Sequence, residues 1–74
     1  MNQLLSLRVF AAVAQEGSFV RAAERMQIST PMVSKHIARL EERLGARLFH
    51  RNSRNVALSD VGRVYWESVK AILA

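Results

Sequence analysis

Cysteine is absent from this 74-residue chain, which removes disulfides, thiolate metal ligands and thiol nucleophiles together. Acidic residues are scarce: six Asp and Glu stand against eleven Lys and Arg, leaving a net charge of +5. A long apolar run is also missing. The most apolar stretch, Leu4 to Ala14, is interrupted by Ser6 and Arg8 and falls far short of the ~20 residues that a bilayer span requires. Ala12-Val13-Ala14 mimics a signal-peptidase site, but no basic residue precedes the stretch, so a core helix is the better reading. Histidine is limited to His36 and His50, and two isolated imidazoles without a carboxylate at ligand spacing make a poor metal site. The chain carries no Gly-rich phosphate loop and no nucleophile–base pair, so catalysis is not expected.

What remains is an apolar, foldable chain. Half the residues are hydrophobic and no segment is of low complexity, which argues for one small ordered domain with a thin core. Leu4, Leu7, Phe10, Ala11 and Ala14 recur at helical spacing and predict a first helix, which Gly17 stops. Ser18 can cap a second helix, Phe19 to about Met26, with Phe19, Ala22, Ala23 and Met26 inward. Gln27-Ile28-Ser29 reads as a turn with Ile28 as its plug. Pro31 suits the first turn of a third helix, so Ser29 or Thr30 caps it. Val33, Ile37, Leu40 and Leu44 should form that helix's core face, with Gly45 at its end. From Arg47 to Leu58, β-prone residues flank a polar Asn52-Ser53-Arg54-Asn55 centre, which predicts a hairpin. Ser59-Asp60 opens a last helix with two stripes, one of Val61, Tyr65, Val69 and Ile72, the other of Trp66 and Leu73.

Charge says what this surface meets. Between Ser18 and Leu58, Lys35, Arg39, Arg43, Arg47, Arg51 and Arg54 crowd the second half of the stretch, opposed there only by Glu41 and Glu42. Such a surface suits a polyanion, and a helix beside it suits the major groove of a duplex. Rotation by 100° per residue puts Pro31, Lys35, Ala38 and Glu42 outward on the third helix, flanked by Ser34 and Arg39. Thr30, Ser34 and Lys35 offer donors at its N-terminal end, the end that recognition helices aim at base edges. Lys35 can reach a guanine acceptor or a phosphate, and only the first reads sequence. Arg51 and Arg54 flank the hairpin turn, placed for a phosphate backbone or a minor groove, although the stem of Arg51 can instead cover apolar surface. Glu42 is expected to pair with Arg39, His36 to project between the core and outward faces, and Met32 to pack or to touch a thymine methyl. The reading is a mainly α fold with a small β-hairpin: a winged helix-turn-helix.

Leu7-Arg8-Val9-Phe10, Gly17-Ser18-Phe19, Ala22-Ala23, Ser29-Thr30-Pro31-Met32-Val33-Ser34-Lys35, Ile37, Leu40-Glu41 and Leu44-Gly45-Ala46-Arg47-Leu48-Phe49 follow one another in order, continued by Arg51, Leu58 and Gly62. This ordered set resembles the N-terminal DNA-binding domain of LysR-type transcriptional regulators across essentially the whole chain. The resemblance implies a bacterial cytoplasmic regulator that binds an interrupted inverted repeat in promoters. It implies a winged helix-turn-helix over residues 1–58, and over 59–74 the start of a linker helix that pairs two copies as a homodimer. The effector-binding domain, with its small-molecule effector, would then lie outside these residues, and this domain needs no cofactor. For the full-length protein, tetramers and contact with RNA polymerase are open alternatives; a membrane is not expected. Ser29, Thr30, Pro31, Ser34, Lys35, Arg39, Arg51 and Arg54 form the expected DNA-contact set, and Trp66, Val69 and Leu73 the expected dimer contacts. Trp66 has an alternative, to fold back on its own domain. Thr30 and Lys35 stand where the family commonly has glutamine and arginine, which alters the grip on bases. A protein-interaction module anchored on Trp66 is the rival reading. Membrane adsorption is disfavoured, since the last helix carries only Arg63 and Lys70.

Overall fold

Asn2 opens the first helix by accepting a hydrogen bond from the Leu5 amide at 3.1 Å, and Gly17, at φ 65°, closes it with its own N–H on the Val13 carbonyl. The computed structural model describes residues 2–51 and 56–74. Along these run α1 (Gln3–Glu16), α2 (Phe19–Met26), α3 (Thr30–Leu44), β1 (Phe49–Arg51), β2 (Val56–Leu58) and α4 (Asp60–Leu73). The polar turn expected at 52–55 lies outside the described residues.

Every helix start is capped by a short polar side chain. The Ser18 hydroxyl accepts from the Arg21 amide, Ser29 from Met32 and Ser59 from Gly62. The alternative between Ser29 and Thr30 is thereby resolved in favour of Ser29, with Thr30 as the first helical residue and Pro31 harmless behind it. Between α2 and α3 the chain turns through Gln27, whose φ of 59° puts a non-glycine residue in the left-handed region, while the Ile28 amide reaches back to the Ala23 carbonyl. Buried Ala22 and Ala23 let α2 sit close to its neighbours.

Helix α1 is the centre of the molecule, with α2, α3, α4 and β2 all in contact with it. Leu7, Val9, Phe10, Ala11, Ala12 and Val13 are all buried, the pattern of a helix covered around most of its circumference, with Arg8 and Gln15 left open. Leu4, expected on the stripe, is 49% exposed, because it lies on the side of α1 where Arg8 and Gln15 are also open. Phe10 is the aromatic hub, its ring 5.3 Å from Phe49, 5.1 Å from Tyr65 and 6.1 Å from Trp66. Tilted and edge-on contacts of this kind add stabilisation beyond the area they bury.

The hairpin pairs Phe49 with Leu58, His50 with Ala57 and Arg51 with Val56 in antiparallel register. Leu48 and Phe49 are buried, while His50 and Arg51 are exposed. Ser59 ties the hairpin to α4: its amide donates to the Leu48 carbonyl and its hydroxyl to that of Arg47. Four helices and a two-stranded hairpin thus make a winged helix-turn-helix, α2 and α3 forming the motif and the hairpin the wing.

Two expectations about α3 and α4 change. Leu44 shares the angular direction of Val33, Ile37 and Leu40 but is 44% exposed, since α3 runs past the elements that would cover its last turn. On α4, Val69 is completely buried in its own domain, and Trp66 and Leu73 are half-buried against the same core. Val69 therefore cannot serve as a dimer contact, and Trp66 adopts the folded-back alternative. The apolar side chains that α4 leaves open are Val61, Val64 and Ile72.

Candidate nucleic-acid interface

The N-terminal half of α3 presents Ser29, Pro31, Met32, Lys35, Ala38 and Arg39 to solvent, with Thr30 and Ser34 half-exposed. Ser29 spends one lone pair on the Met32 amide at 3.2 Å and keeps its hydroxyl proton free to donate. Met32 is 40% exposed and does not settle into the core. The positive end of the helix dipole adds to this surface, since the amides of the first turn point outward along the axis.

The ion pairs lie elsewhere. Arg25 meets Glu16 at 3.3 Å, Arg47 meets Glu41 at 4.0 Å, Arg63 meets Asp60, and Lys70 meets Glu67 at 2.8 Å. Among the described residues Lys35, Arg39, Arg43 and Arg51 form no ion pair, and the pair expected between Glu42 and Arg39 does not form. Of the six cations without an ion pair among the described residues, four thus lie on α3 and the wing, and Arg8 and Arg21 are the other two.

Arg51 takes a middle course between its two expected roles. Its guanidinium lies 4.4 Å from the centroid of the Phe19 ring, which joins the wing to the start of α2, yet the residue remains exposed. A guanidinium stacked by its face keeps its N–H edge available to an anion. Arg54 lies outside the described residues.

Two residues escaped the sequence reading. Glu41, noted in the sequence only as an opposing charge and a piece of the family string, accepts a hydrogen bond from the Leu48 amide at 2.8 Å and so ties α3 to the approach of the wing. The signal was an acid seven residues before a buried strand entry, which no periodicity flags. His36 is 1% exposed rather than half outward, and its Nδ1 lies 2.8 Å from the Ser6 hydroxyl of α1. Burial, and after it the positive charges of the terminal amine and Lys35, lowers its pKa below the ordinary imidazole value.

Residues 4–63 match the family described as "Bacterial regulatory helix-turn-helix protein, lysR family". The chain belongs to the LysR family. Among curated LysR relatives, the regulator BudR of Klebsiella aerogenes is 46% identical over 72 residues, covering 97% of this chain and 50% of BudR. The regulator TfdT of Cupriavidus pinatubonensis is 40% identical, over 97% of this chain and 32% of TfdT. The chain thus spans half or less of the length of these relatives. Among solved structures, the BenM DNA-binding domain in complex with catB site 1 DNA superimposes with a TM-score of 0.92 at 38% identity, covering 97% of this chain and 81% of that one. The CbnR DNA-binding domain in complex with DNA gives 0.93 at 32% identity, with coverages of 97% and 83%.

Proposed function

We propose that this chain is the sequence-reading module of a LysR-type regulator of transcription: it enters the major groove of duplex DNA with α3 and lays the wing on the flanking backbone. The observation that carries this reading is the coincidence of an exposed, donor-rich start of α3 with three nearby cations that no carboxylate neutralises, Lys35, Arg39 and Arg51. Phosphate contacts from such groups supply most of the affinity and make it fall steeply with salt. Base edges are left to Thr30, Ser34 and Lys35, with Pro31 and Ala38 keeping the approach shallow. Two copies act together on an inverted repeat, joined through α4. The small-molecule effector belongs to a part of the longer regulator outside these residues, and the working compartment is the bacterial cytoplasm.

Selection of bound duplexes from a random library at moderate salt tests the reading. An enriched motif, twofold or half-site, is the expected result; uniform, salt-sensitive binding would overturn base reading. On the enriched duplex, Lys35→Ala should cost about 1–3 kcal/mol more than on a scrambled one. An equal loss on both makes Lys35 a phosphate anchor.

A further inference from the structure

His36 stands next to Lys35 on the outward-reading half of α3, yet its own ring points the other way, into the contact between α3 and α1. Among the described residues it is the most enclosed titratable side chain, with 1% of its surface exposed. Its Nδ1 is 2.8 Å from Ser6 Oγ, which also lies 3.1 Å from the Asn2 carbonyl oxygen. Either neutral tautomer makes this contact, Nδ1–H donating to the Ser6 oxygen or a bare Nδ1 accepting the Ser6 proton. The charged groups that act on the ring are Lys35 on its own helix and the terminal amine ahead of α1, both positive. Arg39 and Arg43 line, with Ser6, the cleft beside it. Among the described residues no carboxylate of α1, α2, the hairpin or α4 pairs with it. An imidazolium here would be a buried charge among like charges.

We infer that His36, through Ser6, is a positioning residue that seats the recognition helix on α1, and that a proton on His36 unseats it and loosens base reading. The inference rests on the proposed DNA reading for its functional consequence, though not for the docking itself. The lowered pKa fixes the direction. The seated state holds a neutral ring and is fully populated above the free imidazole value of 6.5. Between that value and the lowered one in the fold, seating weakens by up to about tenfold per pH unit and then levels off. Simple electrostatics predicts the opposite, because any positive charge the protein gains as pH falls tightens all DNA binding.

The ratio of affinities for the selected duplex and its scrambled counterpart, at fixed salt, cancels that general gain. From pH 7.5 to 5.0 the ratio should fall by about threefold or more in the natural chain, and in His36→Gln, which keeps a polar side chain without titrating, it should hold within about twofold. Parallel profiles in the two proteins would overturn the inference. A second arm uses no DNA: the His36 ring and the Ser6 and Lys35 amides are followed by NMR across the same pH range. A shared midpoint below 6.5 supports the seating contact. Amides that ignore the ring's titration refute it, and this arm decides even where His36→Gln fails to fold. If no duplex is ever preferred over its scrambled form while the midpoints coincide, the DNA reading fails and the seating stands.

Discussion

A methyl group added at Gly62 would lie 2.0 Å from the Leu48 carbonyl oxygen and 3.2 Å from a Leu58 methyl. Neither backbone can retreat, because that same carbonyl accepts the Ser59 amide and the Ser59 hydroxyl holds the Arg47 carbonyl. Gly62→Ala should therefore destabilise the fold by about 1–3 kcal/mol, read from the midpoint of chemical unfolding. A loss under half a kilocalorie would mean that α4 can slide. Gly45 is the contrasting case: a methyl there meets nothing, but φ is +67°, so its constraint is backbone conformation alone. Residue by residue, the sequence exposed the second kind of glycine and hid the first. A helix-ending glycine follows from local pattern, whereas Gly62 was visible only as a piece of a family string. The reason for it is a close approach between segments 14 residues apart.

At the scale of elements, caps and periodicity told where helices begin and which way their side chains point. What lies opposite was beyond them. Leu44 points with the core residues into open solvent, and His36, off that line, is buried because Ser6 meets it. The wing illustrates how much depends on one long-range bond. Removing the carboxylate in Glu41→Ala leaves the Leu48 amide without a partner, at an expected cost of about 1–3 kcal/mol. Glu41→Gln keeps an acceptor and should recover most of it. Unfolding midpoints of the two variants separate a hydrogen bond from a charge effect; equal losses would point to charge. For α4, the apolar row left open is Val61, Val64 and Ile72, with Val64 71% exposed, and we propose it as the face that meets a second copy. On an inverted-repeat duplex, Val64→Lys should convert paired occupancy into stepwise single occupancy in mobility-shift titrations. Monomer stability should stay within about 0.5 kcal/mol of the natural chain. Unchanged pairing would remove this row from the dimer contact.

For the molecule as a whole, the net charge of +5 is distributed rather than diffuse. Ion pairs engage Arg25, Arg47, Arg63 and Lys70, and most of the cations left unpaired among the described residues, Lys35, Arg39, Arg43 and Arg51, lie on α3 and the wing. The composition had announced a polyanion partner, and the order of helix, turn, helix and hairpin was legible from caps and turn residues. Which cations would be neutralised was not, because pairs such as Arg25 with Glu16 join different helices. The cleft of about 390 Å³ that Arg8, Gln15, Arg25, Trp66 and Lys70 line among α1, α2 and α4 was equally invisible. The enclosure of α1 has one more consequence, for synthesis. Its Phe10 is covered by Tyr65 and Trp66 of α4, so the centre of the core leaves the ribosome before the helix that covers it. Until α4 clears the exit tunnel the nascent chain must carry that apolar surface uncovered, and the domain closes in a single late step rather than growing from its N-terminus.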